Sequence, residues 1–313
     1  PIFVELLLQL LVGNVDQMMV SRVSQPSVAA IVNANQIMNL VIIVLSMAST
    51  AVTVILSQYL GAQDEKNASR TCMVSLVLIG GVSLAATILV FAGHTPLYRA
   101  IHVPEEVFDE ASLYLLIVGA FILVQGLYLT FSAMIRAFAM VKEVMIISVI
   151  MNVMNIVGNA ILINGWFGMP QLGAVGAAIS TDISKLVGLA LMIGMFFKSR
   201  RVKMGMSYLR PFPVQILKNL CLLAIPTGVE SFSYNLSQMI ILGIVNSFGT
   251  LVTVTKGYCT IFANIDYVYA MAIATATQIV LGYLIGARRL NDIQKRVNAT
   301  LKVAIAACVG MAV

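Results

Sequence analysis

The stretch SQYLGAQD, residues 57–64, has a counterpart further along the chain, GYLIGARR, residues 282–289. Gly61 of the first stretch aligns with Gly286 of the second, and 286 − 61 is 225. One short match of this kind is weak evidence, but others occur at the same spacing.

Two further pairs keep the spacing of 225 without a gap. PIFVE at 1–5 matches PTGVE at 226–230, each with Pro first and Glu four residues later, and Asn39 matches Asn264. A constant register over this length indicates that the chain contains an internal duplication.

The composition indicates that the repeat lies in a membrane. The chain of 313 residues is 60% hydrophobic and 10% charged, with a mean hydropathy of +0.96, whereas soluble domains carry about 25% charged residues. Because about 20 apolar residues cross a bilayer as a helix, long windows without charge predict spans. Such windows, without Asp, Glu, Lys or Arg, are 23–63, 71–98, 111–135, 144–181, 231–255 and 267–287.

The sequence therefore predicts an all-α polytopic membrane protein. The expected spans are 1–22, 32–57, 71–92, 111–134, 143–163, 173–197, 215–240, 251–285 (long enough to be broken) and 297–313. Because span 7 matches span 1, the repeat has six spans, and an even number sends both copies through the membrane in the same direction.

The expected architecture is two parallel six-helix repeats that form two lobes, with the second repeat truncated. We expect an N-terminal lobe at 1–197 with a truncated first span, a basic linker at 198–214 and the start of a C-terminal lobe at 215–313. A whole protein built this way would have twelve spans, of which this chain holds about the first nine.

Basic residues in the short loops predict the orientation, because Lys and Arg are retained on the cytoplasmic side. The loop after span 2 carries Lys66 and Arg70, and the loop 198–214 is the most basic of all, whereas the opposite side carries the acidic segment EEVFDE at 105–110. We expect a multi-pass protein of the cell membrane with a cytoplasmic N-terminus. The net charge of +6 serves this topology, and no nucleic-acid partner is expected.

Carboxylates inside the spans are the first candidates for a site. A charged side chain at the bilayer centre costs on the order of 2.5–3.5 kcal/mol by insertion scales, and Asp16 has no basic residue within one helical turn. Asp16 is therefore predicted to face a wet cavity or to titrate. Glu5 lies eleven residues earlier on the same helical face, about 16 Å away, with Gln9 near the same line.

Other spans carry similar polar stripes. Glu230 and Tyr234 share a stripe on span 7, and Asp266 lies in span 8. Span 5 carries a stripe of three amides, which in membrane helices either line a cavity or form interhelical hydrogen bonds. These amides are Asn152, Asn155 and Asn159.

Two features of span 6 favour a structural reading. Asp182 and Lys185 are three residues apart, close enough to pair on their own helix. In GAVGAAIS, residues 173–180, small residues recur every fourth position, which is typical of close helix packing.

At several places the sequence resembles the multidrug and toxic compound extrusion (MATE) family. The resemblance rests on Pro1 followed fifteen residues later by Asp16 in VDQMMVSRVS, and on four further motifs that cover nearly the whole chain in the family's order. Those motifs are SQYLGAQD at 57–64, NVMNIVGN at 152–159, MPQLGAVGAAIST at 169–181 and IPTGVES at 225–231.

The resemblance implies two six-helix lobes around a central cavity and an antiport reaction, in which H⁺ or Na⁺ enters while cationic, amphipathic small molecules leave. It places Asp16 at the N-lobe coupling carboxylate and Glu230 near that of helix 7. The predicted ion-coupling residues are Asp16, Glu230, Glu5 and Asp266, and the predicted cavity residues are Gln9, Asn152, Asn155, Asn159 and Tyr234. We expect a monomer in the lipid bilayer without enzymatic activity, and no cofactor or metal beyond the coupling ion.

Two other functions stay open at this stage. A flippase of lipid-linked precursors from the same superfamily would be expected to have a strongly cationic cavity, whereas the charges within these spans are mostly acidic. A channel is the second alternative, but an internal repeat favours alternating access. Substrate-dependent proton release from the purified protein would separate a coupled antiporter from both.

The predicted orientation can be tested by cysteine labelling from outside the cell. A Cys at Glu106 should react with an impermeant reagent, whereas a Cys at Lys203 should not, because the two loops are expected on opposite sides of the membrane. The reverse pattern would overturn the orientation.

Overall fold

A computed structural model describes residues 1–21, 25–100, 103, 105–168, 170–246, 248 and 250–312. For some positions within the helices it describes the backbone alone, and Asp16 is one of them. The described residues form helices and connecting turns, and no strand occurs among them.

Among the described residues the nine expected spans correspond to ten α-helices, because the fourth span is divided in two. Short 3₁₀ turns occur at Trp166–Gly168 and Met206–Leu209. The helices are α1 (Ile2–Ser21), α2 (Gln25–Gly61), α3 (Glu65–Ala100), α4 (Glu105–Ala120), α5 (Ile122–Ala137), α6 (Val141–Asn164), α7 (Gly173–Ser199), α8 (Val214–Asn246), α9 (Thr250–Gly286) and α10 (Leu290–Ala312).

Length and composition mark many of these helices as membrane spans. Within the described part of the chain, five helices are long and apolar enough to cross a bilayer, or six if α4 and α5 count as one bent span. α2 and α9 contain 37 residues each, about 55 Å at 1.5 Å per residue, and therefore extend beyond a hydrocarbon core about 30 Å thick.

The break in a span occurs at α4 and α5, and not in the eighth span where the sequence suggested one. α9 is continuous from Thr250 to Gly286, whereas α4 and α5 meet at an angle of 46°. Glycines on either side of the bend let α3 approach closely, because a Cβ at Gly119 would overlap Val90 and one at Gly126 would overlap Ser83.

The second repeat reproduces the helix ends of the first. α1 corresponds to α8, α2 to α9 and α3 to α10, and the corresponding ends lie at the spacing found in the sequence. The matching ends, each pair 225 residues apart, are Ser21 and Asn246, Gln25 and Thr250, Gly61 and Gly286, and Glu65 and Leu290.

The turns that follow α2 and α9 agree in their backbone conformation. Gln63 and Arg288, again 225 apart, have φ of 56° and 57°, in the left-handed region that side chains other than Gly and Asn rarely adopt at a helix end. In both turns the N–H of the next residue, Asp64 or Arg289, donates to the carbonyl five residues earlier at 2.9 Å. The same uncommon conformation at equivalent positions confirms the duplication.

The two repeats pack on each other through reciprocal glycine contacts between α2 and α9. A Cβ at Gly61 would overlap the backbone of Tyr283, and a Cβ at Gly286 would overlap the backbone of Gln58. Because Tyr283 is the counterpart of Gln58, each glycine meets the same position of the other repeat. This reciprocity is what an approximate two-fold axis between parallel repeats requires.

The contact between α2 and α9 also includes a pair of residues on the approximate two-fold axis. Ser57 and Gly282 are 225 residues apart, and a Cβ at Gly282 would overlap the Ser57 side chain. Further along, α1 packs on α9 and its counterpart α8 packs on α2. We call the end of the bundle that holds the turns 62–64, 138–140, 200–213 and 287–289 the basic end.

Packing between α6 and α7 follows the small-residue motif. A Cβ at Gly176 would overlap the backbone of Leu162, and one at Gly158 would overlap the hydroxyl of Ser180. The prediction that GAVGAAIS serves close helix packing is therefore confirmed.

Methyl groups at the reciprocal glycines should be costly. We expect Gly61→Ala and Gly286→Ala to destabilise the protein by about 1–3 kcal/mol each, because the added Cβ meets rigid backbone. Thermal unfolding in detergent should show lower midpoints for both variants.

Gly80→Ala is the matched control, because Gly80 lies within α3 and a Cβ there would meet nothing within 4 Å. In an open helical position alanine is favoured over glycine by about 0.5–1 kcal/mol. Equal midpoints for all three variants would contradict the close α2–α9 contact.

Candidate functional site

The first helix carries three of the predicted site residues, and the side chains of two of them are described. The side chain of Asp16 lies outside the described residues, so its predicted role stays a prediction, although its backbone belongs to α1. Gln9 is exposed, whereas Glu5, one turn earlier, is fully buried.

Glu5 is buried because it pairs with a residue from another helix. The Arg136 guanidinium, in the last turn of α5, donates from Nη2 to Glu5 Oε1 at 2.5 Å. The Glu5 side chain is 1% exposed and that of Arg136 is 22% exposed. α1 and α5 share few other close contacts, so the ion pair is the main link between them.

The three amides of α6 are buried, and one of them, Asn155, bonds to α7. Asn155 Nδ2 donates to Thr181 Oγ1 at 3.1 Å, and Ser180 Oγ donates to the Asn155 carbonyl at 3.0 Å. Asn159 Nδ2 reaches Asn155 Oδ1 at 3.4 Å, and Asn152 is also buried. These bonds agree with the interhelical alternative, and the lining of a cavity by these amides stays a prediction.

Asp182 does not form the short local ion pair expected from the sequence. It is 2% exposed, and neither of its carboxylate oxygens accepts a hydrogen bond from the described residues. Lys185 is near enough for an electrostatic interaction with it, but no N–O distance within 4.0 Å joins the two side chains in the described part.

A second cluster of polar and aromatic side chains lies between α8 and α9. The rings of Tyr234 and Tyr267 are stacked, with centroids 6.2 Å apart and an interplanar angle of 7°. Both are about half-exposed, at 53% and 51%. Glu230, one turn before Tyr234, is exposed and close enough to Tyr267 to interact with it electrostatically. A carboxylate beside two stacked aromatic faces can attract an organic cation.

Asp266 precedes Tyr267 on α9 and is partly buried. Its Oδ1 atom is shielded from solvent and has no hydrogen-bond partner among the described residues. The structure therefore brings Glu230 and Tyr234 of the predicted set together on α8, and leaves Glu5 and the amides of α6 in separate contacts.

A cleft of about 640 Å³ opens at the basic end, between the start of α1, the α5–α6 turn and α9. Its lining includes Phe3, Lys142, Arg201 and Tyr269, and none of the predicted site residues. The edge-to-face pair of Phe3 and Tyr269, with centroids 5.6 Å apart, joins α1 to α9 beside it.

Two residues of these groups were missed in the sequence. Arg136 lies just beyond the predicted fourth span, 111–134, and Tyr267 is the neighbour of the predicted candidate Asp266. A buried acid such as Glu5 does signal that a cationic partner must exist, but the sequence does not say which helix supplies it.

The fold, with its polar side chains within the spans, is that of a helical membrane protein built from two equivalent repeats. The MatE family matches the chain at residues 1–161 and 226–313, two stretches whose first residues are 225 apart. The chain belongs to this family.

Individual relatives agree with the assignment. The uncharacterized transporter YisQ of Bacillus subtilis is 35% identical over 301 residues, which are 96% of this chain and 66% of the relative. A probable multidrug resistance protein NorM of Chromobacterium violaceum is 28% identical over 92% of this chain and 62% of its own length. The chain thus spans about two thirds of the length of these relatives.

A solved structure supports the fold. A mutant of the Vibrio cholerae MATE transporter VcmN superposes with a TM-score of 0.88 at 22% identity, covering 95% of this chain and 67% of that one. The two-lobed helical architecture predicted from the repeat is therefore confirmed.

The interhelical role of Asn155 is testable. Asn155→Ala should destabilise the protein by about 0.6–1.7 kcal/mol, the range for hydrogen bonds between membrane helices. Unfolding by sodium dodecyl sulfate in mixed micelles measures this change.

Asn235→Ala is the control, because Asn235 is exposed and, in the described part of the chain, donates within its own helix, to the Ser231 carbonyl. Its unfolding free energy should change less than that of Asn155→Ala. An equal or smaller loss at Asn155 would argue against the bonds to α7.

Proposed function

We propose that the protein to which this chain belongs is a secondary active efflux transporter. It exchanges cationic, amphipathic small molecules for H⁺ or Na⁺ across the cell membrane. The N-terminus is cytoplasmic, and the basic end faces the cytoplasm. The names of the relatives, transporter and probable multidrug resistance protein, support the transport class.

The observation that carries the proposal is the reciprocal packing of α2 on α9. Two equivalent bodies that pack on each other about a common axis can rock about it, which is how parallel repeats open a site to either side in turn. The glycines at 61 and 286 bring the two helices into this contact at the basic end.

The preference for cations rests on the group of Glu230, Tyr234 and Tyr267. An aromatic face attracts a cation by about 0.5–2 kcal/mol, depending on desolvation, and the nearby carboxylate adds charge complementarity. Two parallel rings also offer a flat apolar surface, which suits an amphipathic molecule. No cationic residue forms an ion pair with Glu230 in the described part of the chain.

Ion coupling is assigned to Asp16 with Asp266 as a second candidate. A carboxylate that binds an ion in one conformation and releases it in the other supplies the differential affinity that coupling requires. Asp16 lies on α1, the helix that packs on α9 of the other repeat.

The two alternative functions, a flippase and a channel, require different charges or contacts between the lobes. A flippase of lipid-linked anionic precursors would need clustered cations between the lobes, whereas Glu230 and Asp266 are acidic. A channel would need no alternating contact between repeats. Neither alternative is favoured by a contact among the described residues.

Asp16→Asn in the full-length protein should abolish efflux of a cationic dye against its gradient. The amide keeps the size of the side chain but removes its charge and its titration. Expression and membrane insertion should persist, because a neutral group costs less in a span than a charged one. Dye efflux from energised cells, with the protein quantified in isolated membranes, measures both.

Asp292→Asn is the control, because Asp292 pairs with Arg289 at an exposed position of the basic end. This variant should pump like the wild type. If Asp16→Asn also pumped like the wild type, the coupling site would have to be moved to Asp266, Glu230 or another part of the protein.

A further inference from the structure

Glu5 and Glu230 occupy equivalent positions, 225 residues apart, yet their surroundings differ. Glu5 is fully buried in a 2.5 Å contact with Arg136, whereas Glu230 is exposed beside the stacked tyrosines. Equivalent carboxylates in such different contacts need not share a role.

The ion pair joins two helices that otherwise scarcely meet. α1 packs mainly on α6 and α9, and its only described ion pair is the one to α5. An Arg guanidinium is permanently charged. Because removal of one partner from a buried pair leaves the other charge uncompensated, the pair resists separation.

The same end of α1 also contacts the other repeat. Phe3 lies two residues before Glu5 and packs edge-to-face on Tyr269 of α9. The start of α1 is therefore held on one side by its own lobe, through Arg136, and touches the second lobe on the other. Eleven residues, about three helical turns, separate this point from Asp16 on the same helix.

We propose that Glu5 and Arg136 are positioning residues, which fix the start of α1 on the first lobe while Asp16 carries the coupling ion. This inference rests on the proposed function for its transport readout. It removes Glu5 from the ion-coupling set and assigns Arg136, which lies just beyond the predicted fourth span, to the transport machinery. It concerns Glu5 and not its counterpart Glu230.

The test uses the full-length protein in liposomes with ethidium as the cationic dye. Glu5→Gln and Arg136→Gln should each lower the maximal transport rate about tenfold, within the range of typical coupling energies, while the KM for ethidium changes less than about threefold. The double variant Glu5→Gln/Arg136→Gln should transport faster than either single variant, because it leaves no uncompensated charge.

Charge reversal supplies a rescue experiment. Glu5→Arg/Arg136→Glu should recover transport relative to Glu5→Arg alone, and its thermal midpoint should rise with it. Arg289→Gln, which breaks the exposed pair to Asp292, is the matched control and should leave rate and midpoint unchanged.

Ion release separates positioning from coupling. In the purified protein, Glu5→Gln should release the same number of protons or sodium ions per bound ethidium as the wild type. Loss of that release, or a double variant no better than the single ones in both rate and midpoint, would overturn the inference.

Failure of the proposed function would look different. Wild-type protein that moves no ethidium against a gradient would refute the proposed function. The ion pair would then be judged by the thermal midpoints alone, and recovery in the double and reversed variants would still support its positioning role.

Discussion

The close approach of α2 and α9 is the constraint on which the arrangement of the two repeats depends. Backbone meets backbone where Gly61 faces Tyr283 and where Gly286 faces Gln58. Because these contacts exchange under the shift of 225 residues, they fix the approximate axis between the repeats. Larger side chains at the two glycines would force the helices apart, and the backbone contact between α2 and α9 would be lost.

Within the first lobe, small residues also let two helices pack closely. Glycine and serine let α6 pack closely on α7, where Asn155 donates a hydrogen bond to Thr181. Small residues thus place the helices, and polar side chains fix their rotation about their own axes. The ion pair of Glu5 with Arg136 does the same for α1, the helix that carries Asp16.

Much of the fold could be predicted because the repeat is recorded in the sequence itself. The match of Gly61 with Gly286 predicts that α2 and α9 end at equivalent positions, since equivalent segments fold alike. The bend near Phe121 could not be predicted, because it depends on how α3 packs against Gly119 and Gly126. The partner of Glu5 was missed for a similar reason, since periodicity shows which residues share a helical face but not which helix that face meets. Tyr267 became a candidate only when its ring was found against Tyr234.

In the proposed transport cycle, two equivalent lobes alternate around cation-attracting groups and couple that movement to an ion gradient. The most direct measurement is ethidium transport by the full-length protein in liposomes with an imposed H⁺ or Na⁺ gradient. We expect ethidium to accumulate against its own gradient while the ion gradient lasts, and an ionophore to stop the accumulation. Equilibration of ethidium at the same rate with and without the ion gradients would contradict it, because a channel would then suffice.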